Sequence, residues 1–154
     1  MIKTNIIVKL QIDGTHQWSG VKKDHNLFSV FFLANPHRHM FHIVAKKEVS
    51  HGDRDIEIIN LKRNIQDYLH NHYYNTELRT HEFKEMSCEM IASVLAKVFG
   101  LCYCEVLEDG ENGAEVFQDT IIMTEEFKQK IKRNPSPTTH LSANGQYVII
   151  YETK

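Results

Sequence analysis

The chain has 154 residues, 42% hydrophobic and 25% charged, with a formal net charge of -2. That length suits one globular domain whose core needs no disulfide staples, and the near-neutral balance gives no positive field for nucleic acid. Short apolar runs, no stretch resembling a signal peptide, and three cysteines without a secreted disulfide pattern point to a cytoplasmic protein with neither membrane nor nucleic-acid partners.

Residues 5–12 alternate apolar and polar side chains, which predicts a half-buried strand with His16 just beyond it. A polar loop to Asn26, a short strand over 27–33, a turn at Asn35-Pro36 and a longer strand from about Arg38 to Val49 follow. Residues 50–55 read as a turn and 56–59 as a brief strand continuation. The period then changes: Leu61, Ile65, Tyr68 and Leu69 share a helical face, with Asn60 as N-cap and an end near His70. Residues 71–86 read as polar and irregular. Ser87 caps a second helix whose stripe is Met90, Ile91, Val94, Leu95 and Val98, closed by Gly100. Strands are expected over 101–107 and 114–122, joined by an acidic turn. A short helix over 124–133 and a last strand over 146–151 complete the order. Strand groups around two consecutive helices argue for an α+β domain with an antiparallel sheet and the helices on one face.

Ten histidines is a high count for this length. If His37 and His39 lie on a strand they project from one face, about 6.6 Å apart, within reach of one metal ion. A catalytic zinc site commonly takes three protein ligands and keeps an open position, so a third histidine would have to come from elsewhere in the chain. The plainer alternative is a set of surface or strand-packed histidines. Cys88 lies at a helix start, where a thiolate is favoured, yet an apolar face also buries cysteine as a small hydrophobe. Cys102 and Cys104 share a strand face and read as packing residues.

Several landmarks occur in order: Gly14-Thr15-His16, His37-Arg38-His39-Met40-Phe41, Ile56 to Lys62, Asn71-His72, Met86-Ser87-Cys88-Glu89, Leu107-Glu108-Asp109 and Ala114-Glu115-Val116. This series resembles the 6-pyruvoyltetrahydropterin synthase / 6-carboxytetrahydropterin synthase (queuosine biosynthesis) family. The resemblance implies a T-fold core over 1–117, with a four-stranded antiparallel sheet and two helices on one face, and a C-terminal helix-loop-strand extension over 118–154. It also implies a homo-oligomer, a hexamer in that family, and Zn2+ on His16, His37 and His39. Glu108 would anchor a pterin or purine-like ring, with Ser87 and Cys88 beside the ligand and Asn71 and His72 as the proton-transfer pair. The implied activity is that of a zinc-dependent carbon-oxygen lyase acting on a dihydropterin such as dihydroneopterin triphosphate. The chain departs from the family where Leu33 replaces the catalytic Cys, Asn71 replaces an Asp, and Arg38 replaces the Gly between the two histidines. An amide cannot stabilise an imidazolium as a carboxylate does. These departures define the alternative, a non-catalytic pterin- or purine-binding protein. Asp24, His25, His42 and His81 are the ionisable groups that could stand in for Leu33.

Overall fold

Side chains at every second position of two long strands set the architecture. The computed structural model describes residues 2–118 and the backbone of Thr139–Leu141 and Tyr147–Ile149. The elements are β1 (Thr4–His16), β2 (His37–Val49), α1 (Ile58–Tyr73), β3 (Tyr74–Asn75), β4 (Thr80–Lys84), α2 (Cys88–Phe99), β5 (Tyr103–Glu108), β6 (Asn112–Phe117), β7 (Thr139–Leu141) and β8 (Tyr147–Ile149). The chain divides into two compact units, Met1–Thr120 and Ile121–Lys154. In the second, β7 pairs antiparallel with β8.

In the first unit, β1 buries Val8, Leu10 and Ile12, and the same face runs on through Gly14 to His16. β2 buries Phe41, Ile43 and Ala45 and carries His39 and His37 on that face toward its start. The two strands pair antiparallel without a break, from Thr4 opposite Val49 to His16 opposite His37. β5 pairs with β2 and turns Cys104 and Val106 into the same core, with Glu108 next in that alternation. α1 contributes Leu61, Ile65 and Leu69, and α2 contributes Ile91, Ala92, Leu95 and Ala96. These spacings put each set on one helical face. Both sets join one apolar cluster with β1, β2, β4 and β5, so the helices cover one face of the sheet. At one end of that face, inward positions pass from aliphatic residues to Phe41 and then to histidines.

The expected T-fold with a four-stranded antiparallel sheet is corrected here. The sheet has six strands in the order β3-β4-β1-β2-β5-β6, and it is mixed because β4 lies parallel to the end of β1. Residues 71–86, read as irregular, hold β3 and β4. Their polarity concealed a strand whose polar groups are satisfied locally: the Thr80 hydroxyl donates to Asp13 Oδ2 at 2.6 Å, and His81 Nδ1 donates to the Asp13 carbonyl at 2.9 Å.

Three local expectations change as well. Residues 27–33 are not a strand but part of a 3-10 segment, His25–Ala34. This aromatic-rich stretch connects the paired ends of β1 and β2, and Phe28 and Phe32 stay exposed. Residues 58–59 open α1 rather than continue a strand, because the Glu57 carboxylate caps the helix by accepting the Asn60 N–H at 2.6 Å. α1 also runs past His70 to Tyr73. Ser87 and Gly100 cap α2 as expected, Gly100 with a φ of 59°. The expected helix over 124–133 lies outside the described residues. Among the described residues no helix is long and apolar enough to cross a membrane.

Candidate metal centre

His16, His37 and His39 meet where β1 ends and β2 begins. One ring nitrogen from each lies within 4.8 Å of the others. The register explains the meeting: His37 is the direct cross-strand neighbour of His16, and His39 lies two residues further along the same face. The ring centroids are 4.6 Å apart for His16–His37, 5.1 Å for His37–His39 and 5.3 Å for His16–His39.

Each imidazole is turned by an oxygen acceptor at Nδ1. His16 Nδ1 is 3.0 Å from the Met86 carbonyl, His37 Nδ1 is 2.8 Å from the Asn35 carbonyl, and His39 Nδ1 is 2.7 Å from Asp109 Oδ2. A carbonyl or carboxylate oxygen can only accept, so each Nδ1 carries the proton. In the neutral rings Nε2 is then left with its lone pair. The Nε2 atoms of His16 and His39 are buried and make no hydrogen bond. Buried nitrogens seldom stay unpaired, and an imidazole whose other nitrogen is held by a carbonyl or carboxylate is the usual arrangement of a metal ligand. The histidine-only donor set could therefore coordinate a metal ion. Burial, the largest influence on His16, pulls its pKa below the ordinary value of 6.5 and keeps the ring neutral, as a ligand requires.

Glu108 stands against this cluster, with Oε1 3.1 Å from His16 Nε2 and Oε2 3.6 Å from His39 Nε2. Cys88 Sγ donates to Glu108 Oε1 at 3.6 Å. Burial, then the neighbouring Glu108 charge, pushes the Cys88 thiol up to about 12. The site opens into a cavity of about 270 Å³ whose wall includes Trp18, Leu33, His37, Ser87, Cys88 and Glu108. No Lys or Arg is among the described residues that line it.

The structure thus brings His16, His37, His39, Glu108, Ser87 and Cys88 to one place. Asn71 and His72 are not there. Both lie exposed near the end of α1, where His72 Nδ1 donates to the Tyr68 carbonyl at 2.8 Å and its ring stacks on Tyr68. Leu33 does line the cavity. Of the groups considered as its substitute, His42 faces Gln11, His81 is held by the Asp13 carbonyl, and Asp24 and His25 lie on the exposed connection between β1 and β2.

Two contributors have roles that the sequence did not assign. Asp109, one more acid in an acidic turn, spans His39 and β2: Oδ2 accepts from His39 and Oδ1 accepts the Met40 N–H at 2.9 Å. The His39 hydrogen bond is the first cause that holds the Asp109 carboxyl below its usual range. Trp18 forms a cavity wall, its backbone N–H donating to the Leu33 carbonyl at 2.7 Å. Glu85 braces the neighbouring chain by accepting from Gln17 Nε2 at 2.6 Å and from the Ser19 N–H at 2.9 Å.

No protein-family model and no curated protein matches this chain. Among solved structures it is similar to an uncharacterized protein from Wolinella succinogenes, with 15% identity over 77% of this chain and 100% of that one, at a TM-score of 0.53. At that identity the likeness concerns the fold alone. With a six-stranded mixed sheet and no matching family model, the lyase and queuosine-biosynthesis expectations are left without support.

Proposed function

We propose that the chain is a zinc-binding protein that takes up a small planar heterocycle, of the purine or pterin kind, without chemically transforming it. The observation that carries this is the convergence of three imidazole nitrogens whose Nδ1 protons are all committed elsewhere, two of the facing Nε2 atoms being buried and unpartnered. A three-histidine set with an open side suits zinc. His16, His37 and His39 would hold the ion, which, when bound, would act as a Lewis acid toward a lone pair on the ligand.

Trp18, Leu33 and Met86 line the cavity, and Glu108 would supply an acceptor for a ring N–H edge. The volume of about 270 Å³ lies at the small end of ligand pockets. Binding without turnover is supported by what stands around it. Leu33 cannot exchange a proton, burial and the Glu108 charge raise the Cys88 thiol, and no Lys or Arg among the described lining residues faces the cavity to receive a polyphosphate.

Trp18 is the chain's one tryptophan, so intrinsic fluorescence reports ligand entry. Titrating the zinc-loaded protein with guanine or pterin should quench emission to saturation at one ligand per chain. The metal-stripped protein should show no saturable change. Absence of saturable quenching with either compound, in a protein shown to hold zinc, rejects the ligand half of the proposal.

A further inference from the structure

The triad leaves a fourth metal position to be accounted for. We propose that in the ligand-free protein Glu108 fills it, giving a four-coordinate centre of three imidazoles and one carboxylate, and that an entering ligand must displace this carboxylate. This deepens the metal reading of the triad and rests on it.

Ligand atoms about 2.0–2.2 Å from a tetrahedral ion lie about 3.3–3.6 Å from one another. Glu108 Oε1 is 3.1 Å from His16 Nε2 and Oε2 is 3.6 Å from His39 Nε2, so each carboxylate oxygen makes one edge close to that spacing and the carboxylate spans the two imidazoles. While both imidazoles are neutral, those contacts are unfavourable without a cation between them. Both Nδ1 atoms donate to other oxygens, and neither buried Nε2 makes a hydrogen bond. Lone pairs on nitrogen therefore face lone pairs on oxygen. A divalent ion between them turns the repulsion into coordination.

The backbone holds the carboxylate there. Glu108 is the last residue of β5, opposite Phe41 of β2, and the Asp109 N–H closes the turn on the Met40 carbonyl at 2.8 Å. The Cys88 thiol donates to Oε1 and limits its swing. Glu108 also lines the cavity, so the carboxylate can leave the ion toward a ligand without leaving the site.

The test uses Co2+ as the probe on the full chain, comparing wild type, Glu108→Gln, Glu108→Asp and His37→Ala, each checked for a native circular dichroism spectrum. Wild type should bind one Co2+ with the intense visible bands of four-coordinate cobalt. Glu108→Gln and the shorter Glu108→Asp should weaken binding by at least the roughly 10–100-fold that even outer partners of a metal site are worth. Both should also shift the bands toward a water-ligated spectrum. If both Glu108 variants match wild type in affinity and spectrum while His37→Ala loses the ion, the triad stands and the fourth ligand is refuted. If His37→Ala binds like wild type, the metal reading itself fails, and the role of Glu108 with it.

Discussion

Replacing Gly14 by alanine should cost stability and disturb the histidine cluster together. Gly14 lies opposite His39 in the β1–β2 pairing and beside His81 in the β1–β4 pairing. A Cβ built there meets Phe83 Cε2 at 2.6 Å, Phe83 Cδ2 at 2.9 Å and Phe41 Cε2 at 3.1 Å. Both rings are almost wholly enclosed, with Phe83 1% and Phe41 0% exposed, so neither has space to retreat. Forcing a methyl into a packed core costs about 1–3 kcal/mol. Removing a glycine from a strand interior returns about 0.5–1 kcal/mol. At the middle of each range the net loss is about 1 kcal/mol, which at an m-value of about 2 kcal/mol/M lowers the urea midpoint by about 0.5 M. Phe41 also packs edge-on against His16 and His39, at centroid distances of 5.3 Å and 5.9 Å. Displacing it should therefore weaken metal binding too. Urea unfolding followed by far-UV circular dichroism reads the first effect, and metal titration reads the second. Phe83→Leu in the Gly14→Ala background should recover part of both. A Gly14→Ala protein as stable as wild type, with unchanged metal affinity, refutes the claim that this glycine is required by space.

Further expectations follow from the same contacts. The His39 N–H and the Met40 N–H now use one Asp109 oxygen each, so Asp109→Asn sets an NH2 donor against one of them; metal affinity should fall about 10–100-fold by titration. Asparagine tolerates the positive φ at this position, so the fold should be kept, and an unchanged affinity would remove Asp109 from the site. Thiol labelling of the native protein should reach Cys102 first and spare Cys88 and Cys104, which are buried and whose thiols are both pushed up to about 12; rapid labelling of all three in the folded chain contradicts this. Burial also pulls His16 and His81 below the ordinary value of 6.5. The unfolded chain therefore takes up protons that the folded chain refuses, and this stabilisation is complete above pH 6.5 and lost as pH falls through the folded pKa values. The metal-free protein should thus have a lower urea midpoint at pH 5.5 than at pH 7.5, and a higher one would contradict the burial argument.

The sequence announced His37 and His39 because a strand period of two places them on one face, and His16 entered only through the family resemblance. It could not announce the register that sets His16 opposite His37, since that depends on pairing between distant residues. β4 stayed hidden because Thr80 and His81 are polar, and only their bonds to Asp13 reveal why they are buried. The 27–33 stretch misled in the other direction. Its aromatic and branched residues suit a strand, but it folds as a 3-10 connection between β1 and β2. Glu108 was legible only through family resemblance, whereas its nearness to the histidines is a result of the β2–β5 pairing. Asn71 and His72 read as loop residues because the helix was ended at His70, and its last turn carries them on the exposed surface instead.

The most direct test of the central claim is the metal content of the untagged purified protein, by elemental mass spectrometry, beside His37→Ala. The expected result is about one zinc per chain, lost in the variant, for a three-histidine site of this kind. No metal in either protein, and no zinc uptake on titration, would contradict it and leave the three histidines as neighbours in a packed sheet end.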